Sequence, residues 1–171
     1  MTGLDNDQGN MQDLANYRLQ KSYNLLKDAV VLIKLKSYQS ADNRIYYAVF
    51  NAINAVNALY DYNTKKHTQA IGEFNKKYIH TEIFNKEYGR IINRIHNKRN
   101  VSDYDDFAAI NPEETKENFY LAKKLVNEIK NFCQNKLQKE IQITLPQISK
   151  NEIDVDKSSI QDIKNFIVNH K

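Results

Sequence analysis

The chain has 171 residues, a net charge of +4, four glycines, two prolines and a single cysteine. That length fits one domain able to bury roughly two thirds of its unfolded surface, and so few glycines and prolines argue against a fold of turns and strands. The lone Cys133 excludes an internal disulfide framework, no apolar run reaches the ~20 residues that span a bilayer, and MTGLDNDQGN carries no signal-peptide pattern, so a cytoplasmic protein without a membrane partner is expected.

Residues 1–10 are polar and aperiodic, and are expected to be disordered. From Met11 to Leu35, apolar or small residues recur at Ala15, Leu19, Ser22, Leu26, Ala29 and Ile33, the spacing of one helix face, predicting a helix ~37 Å long. A short polar link, KSYQS, leads to residues 41–60, where Ile45, Ala48, Ala52, Ala55 and Leu59 draw a second stripe. Tyr46, Val49, Phe50, Ile53 and Val56 widen it until only the Asn51, Asn54 and Asn57 side reads as wet. A helix apolar over most of its circumference has neighbours on several sides, so this one is expected at the centre. The short link favours an antiparallel pair.

After Tyr60 the pattern breaks at DYNTKKH, and Ile71, Phe74 and Tyr78 predict a shorter helix following Thr68, with Gly72 inside it. A long helix is expected from about Glu82, its inner stripe Phe84, Tyr88, Ile91, Ile92 and Ile95 continuing onto Arg99. Lys86, Arg90, Arg94 and Lys98 stand four apart on another side, a basic ridge suited to RNA phosphates. VSDYDDFAAINPEE interrupts the periodicity. Asn111-Pro112-Glu113-Glu114 then reads as a helix start, with Asn as cap, Pro at the first helical position and Glu at the third. Phe119, Ala122, Val126, Ile129 and Cys133 carry that helix to about Leu137.

The expected fold is therefore all-α: an antiparallel four- to five-helix bundle over residues 11–137 with a short C-terminal appendage, 138–171. In the appendage, Ile141, Ile143 and Leu145 alternate like a strand, and Ser158 to Asn169 reads as a small amphipathic helix with Ile160, Ile163, Phe166 and Ile167 on one face.

Charge and motif narrow the chemistry. Nine basic and three acidic residues lie between Lys65 and Arg99, so this stretch carries +6 and the remainder −2. Such a concentration is either the footprint of a phosphate-rich partner or a solvated face. There is no phosphate-binding glycine loop, HExxH, CxxC pair or nucleophile elbow, and the four histidines lack metal-ligand spacing, so no cofactor or metal is expected. What remains is RIINRIHNKRNVSDYDDF, residues 90–107. His96, Arg99 and Asn100 share one helical face there. Arginine can hold phosphate charge, histidine can move a proton and asparagine can orient an oxygen, a minimal kit for cleaving RNA through its own 2′-hydroxyl. The competing reading has Arg99 paired with Asp103 or Asp105 at a helix end.

Three motifs in order resemble the HEPN superfamily. Asn43, Arg44, Tyr46, Tyr47, Ala48, Phe50, Ala52 and Ala55 match its signature helix; His67, Ile71, Phe74 and Tyr78 match its HxxxIxxFxxx-aromatic segment. Arg99 followed by Asp103-Tyr104-Asp105-Asp106-Phe107 matches its ending, and Tyr17-Arg18-Leu19 fits its first helix. The resemblance covers about residues 14–135. It implies an all-α bundle that dimerises, a metal-independent endoribonuclease of the toxin–antitoxin kind, and a minimal nucleotidyltransferase as antitoxin partner. The family's catalytic motif is Arg, a polar residue, then His four to six residues after the Arg. Arg99 and Asn100 match its beginning, while Tyr104 stands where the histidine belongs. Arg90 and His96 meet the spacing but lie about 240° apart on a helix. The implied catalytic set is Arg99, Asn100 and Tyr104, with His96 replacing the lost base. The alternative is a non-catalytic module binding nucleotide, RNA or a nucleotidyltransferase.

Overall fold

A computed structural model describes the backbone of residues 4–104 and 110–137, with the side chains of 11–100 and 110–137. Five α-helices follow one another: α1 (Leu4–Lys34), α2 (Tyr38–Ala58), α3 (His67–Phe74), α4 (Lys86–Tyr104) and α5 (Pro112–Leu137), with a π-helical turn, Asn75–Ile79, after α3. No strand occurs among the described residues. The strand-like segment and small helix expected within 138–171 lie outside them.

α2 is the hub. It packs against each of the other four helices, and its Ile45, Ala48, Ala52, Ile53, Ala55 and Val56 are fully buried. Small residues let α1 come close: Ser22 Oγ donates to the Ala48 carbonyl at 2.7 Å inside the interface. Arg18 donates to the Asn54 carbonyl at 2.8 Å, so earlier residues of α1 meet later residues of α2 and the pair is antiparallel. On the other side, Thr115 meets Asp42 near the starts of α5 and α2, which therefore run the same way. Arg94 meets Glu117 and Phe84 meets Phe132, which sets α4 antiparallel to α5. The result is the expected up-down bundle, with α3 packed on α2 and the π-helical turn after it against α4.

Three local expectations are corrected. Asn54 and Asn57 are buried, and Asn57 Nδ2 donates to the Ala70 carbonyl at 3.2 Å. The exposed side of α2 runs through Ser40 and Arg44 instead, and Asn57 answers a backbone carbonyl inside the bundle. α1 begins at Leu4, ahead of Met11, so residues 4–10 are helical; a helix nucleated downstream extends through polar residues that carry no apolar stripe. α4 begins at Lys86 rather than near Glu82. Glu82 takes φ +62°, and Asn85 Oδ1 accepts the Glu87 amide at 2.9 Å as the cap. Phe84 thus sits in the loop, yet is buried among Phe74, Tyr78 and Phe132. The predicted α5 cap is present: Asn111 Oδ1 accepts the amides of Glu113 (3.1 Å) and Glu114 (3.3 Å). Cys133 is fully buried in α5, and burial pushes its thiol up to about 12.

Candidate functional site

The C-terminal end of α4 is anchored by a polar cluster. Lys98 Nζ lies 3.1 Å from Asp42 of α2 and 3.2 Å from Glu114 of α5, and Thr115 Oγ1 donates to Asp42 at 3.0 Å. The Lys98 and Asp42 side chains are only 15% and 9% exposed. Burial holds the Asp42 carboxyl above its ordinary value, against the opposing pull of Lys98 and Thr115. One turn earlier, Arg94 pairs with Glu117 at 2.7 Å and with Glu114 at 3.8 Å.

This revises the basic ridge. Positions four apart advance 400° around a helix, so each step drifts about 40° and the row turns about 120° from Lys86 to Lys98. Lys86 is on the surface beside Glu82, and Arg90 is exposed with no ion pair among the described residues. Arg94 lies against α5, and Lys98 points into the bundle.

Next to this anchor, three helices bring together an aromatic and basic group. Arg99 of α4 stands over two tyrosine rings of α2, with its guanidinium carbon 5.2 Å from the centre of Tyr46 and 5.7 Å from Tyr47. Its Nη2 donates to the Tyr47 hydroxyl at 3.5 Å. The Tyr46 hydroxyl lies 2.5 Å from His67 Nδ1 at the start of α3. His67 stacks on Phe50 at 4.0 Å between ring centres, and His96 of α4 stacks on Tyr46 at 5.6 Å. Asn100 approaches His96, Nδ2 to Nε2, at 3.4 Å. Arg18 holds the loop before α3, donating to Asn63 Oδ1 at 2.7 Å.

His96, Arg99 and Asn100 therefore share a face, as their spacing predicts. Tyr104 ends the α4 backbone, and its side chain, like those of Asp103 and Asp105, lies outside the described residues. The residue that sequence reasoning left out of the site is His67. It was visible as part of a family segment, but its approach to Tyr46 depends on α3 packing against α2. Burial, then Arg99 and then His96 hold the His67 imidazole below its ordinary value, and burial followed by Arg99 does the same to His96. Both rings are thus neutral near pH 7 beside a permanent cation. That combination can bind an anion and accept a proton. Among the described residues, no three His, Cys, Asp or Glu side chains converge as metal ligands.

An all-helical bundle whose α2, α3 and α4 gather arginine, histidines and tyrosines at one point defines the class. The HEPN domain family model matches residues 15–136, and the chain belongs to that family. It is 30% identical over 106 residues to the UPF0332 protein of Thermotoga maritima, covering 62% of this chain and 80% of that one. Over 118 residues it is 28% identical to a Methanocaldococcus jannaschii protein named "Putative toxin MJ0142", covering 69% and 80% of the two chains. A second protein of that organism, "Putative toxin MJ0605", is 32% identical over 105 residues, covering 61% and 78%.

Proposed function

We propose that the chain is the toxin of a HEPN toxin–antitoxin pair and a metal-independent endoribonuclease acting at the Arg99 site. The observation that carries this reading is the gathering of Arg99, His67 and His96 around the buried Tyr46 ring, with Asn100 beside His96 and Tyr47 beside Arg99. Arg99 holds the scissile phosphate, an imidazole accepts the proton of the 2′-hydroxyl, and Asn100 orients an oxygen. Two relatives bearing a toxin name support the biological setting. Family membership supports a homodimer and a nucleotidyltransferase antitoxin in the cytoplasm.

Purified protein should cut single-stranded RNA in the presence of EDTA and leave 2′,3′-cyclic phosphate and 5′-hydroxyl ends. Since both imidazoles are held below the ordinary 6.5, the proton acceptor is already neutral at pH 7. The cleavage rate should climb through a pKa below 6.5 and level off toward neutrality. RNA that stays intact, together with unimpaired growth on expression, would leave the non-catalytic binding module as the function.

The surviving part of the basic ridge extends the RNA track. Affinity should fall with salt, each phosphate contact adding roughly 0.7 to the log–log slope. Charge reversal at Lys86 and Arg90 should flatten that slope. Reversal at Lys98 should act on folding instead, because its partners are internal. An unchanged slope in the Lys86 and Arg90 variant would reduce the ridge to a solvated face.

A further inference from the structure

The two imidazoles beside Arg99 are not equivalent. His67 places Nδ1 at 2.5 Å from the Tyr46 hydroxyl, while its ring rests on Phe50. His96 turns Nδ1 inward, where it is buried and meets no hydrogen-bond partner among the described residues, and its Nε2 faces Asn100. An imidazole that accepts a proton becomes a cation with two N–H donors, and each must be answered. Protonated His67 has the Tyr46 oxygen to receive its Nδ1–H, leaving Nε2 for the reaction. Protonated His96 would bury an unanswered charged donor.

We propose that His67, not His96, is the base that starts RNA cleavage, with Tyr46 as its positioning residue; this rests on the nuclease reading of the Arg99 site. In the tautomer the step requires, Nδ1–H donates to the Tyr46 oxygen and Nε2 carries the lone pair. Nε2 takes the proton of a ribose 2′-hydroxyl as the 2′-oxygen bonds to the phosphorus that Arg99 holds. The bond from phosphorus to the 5′-oxygen breaks, and its electron pair stays on that oxygen, which takes a proton from water. The hydroxide so formed removes the proton from His67, so the protein ends as it began. The base comes from α3, and the sequence after Arg99 therefore need not supply a histidine.

The test is single-turnover and steady-state cleavage of a fluorescent single-stranded RNA by the full chain and its His67→Ala, His67→Gln, His96→Ala, Tyr46→Phe and Arg99→Ala variants, with circular dichroism to verify folding. His67→Ala should slow cleavage about 10²–10⁴-fold, the range expected for a lost proton-transfer group, while His96→Ala stays within about tenfold. Added imidazole should restore part of the activity of His67→Ala alone. His67→Gln keeps the bulk but cannot accept a proton, so it should lose as much as alanine even where alanine perturbs the fold. Tyr46→Phe should lower kcat with KM unchanged.

The proposal is overturned if His67→Gln cleaves within tenfold of the wild type, or if His96→Ala shows the larger loss and the imidazole rescue. An unchanged kcat in Tyr46→Phe removes the positioning role. In each of those cases an inactive Arg99→Ala still upholds the nuclease reading. A wild type as inert as Arg99→Ala would remove that reading, and the assignment of His67 with it.

Discussion

Arg99→Ala should lower RNA cleavage about 10²–10³-fold and relieve growth arrest, with little loss of stability. The first figure is the usual effect of deleting one donor aimed at developing charge. The second follows from what holds the side chain. Among its contacts, Arg99 lies over Tyr46 and Tyr47 and makes a long contact with the Tyr47 hydroxyl at a partly buried site, where a cation–π contact is worth about 1 kcal/mol. Melting should therefore shift by only a few degrees. Arg99→Lys should rescue poorly, since an ammonium keeps the charge but loses the planar fork that grips a phosphate. The opposite pattern, a steep fall in melting temperature with cleavage retained, would mean that Arg99 is a structural partner of Asp103, Asp105 or Asp106.

Lys98→Ala, one residue away, should do the reverse. Removing it leaves Asp42 buried with only Thr115 for company, and breaking a buried ion pair from one side costs about 3–5 kcal/mol. For a chain of this size that lowers the melting temperature on the order of 10 °C. Asp42 binds its proton more tightly folded than unfolded, so its carboxylate weighs against folding as pH rises from the ordinary 3.8 through the raised value. The Lys98→Ala penalty should accordingly shrink as pH falls into the ordinary carboxylate range. Replacing both partners with apolar residues, Asp42→Leu with Lys98→Met, should recover most of the loss, because neither charge is then stranded. Thermal melts of both variants check this; a shift of a degree or less for Lys98→Ala would mean that solvent already shields the pair.

The contrast between two adjacent basic residues shows where sequence reading stops. Periodicity identified the bundle because an apolar stripe is a local property: Ala15, Leu19, Leu26 and Ile33 of α1, and Phe119, Ala122, Val126 and Ile129 of α5, are all buried where their spacing puts them. The Asn111 cap was equally legible, its partners lying two and three residues ahead. The face shared by His96, Arg99 and Asn100 also followed from spacing alone. Lys98 did not, because its inward direction depends on Asp42 and Glu114 arriving from two other helices. His67 is the same case in the site, and no nearby residue signals that Tyr46 will meet it. Asn54 and Asn57 misled for the converse reason. Their polarity suggests solvent, whereas both are buried on the hub helix and Asn57 finds the Ala70 carbonyl.

Cys133 gives the molecule a built-in clock. Thiol reagents attack the thiolate, and a buried sulfur whose pKa is pushed up to about 12 offers almost none of it at neutral pH. As the chain's only cysteine, it becomes reactive when α5 leaves the bundle. Its rate of labelling therefore measures how often the core opens, at a single atom and without a denaturant. It also follows that a disulfide-linked dimer on a non-reducing gel would record opened chains meeting, and would say nothing about association of the native form.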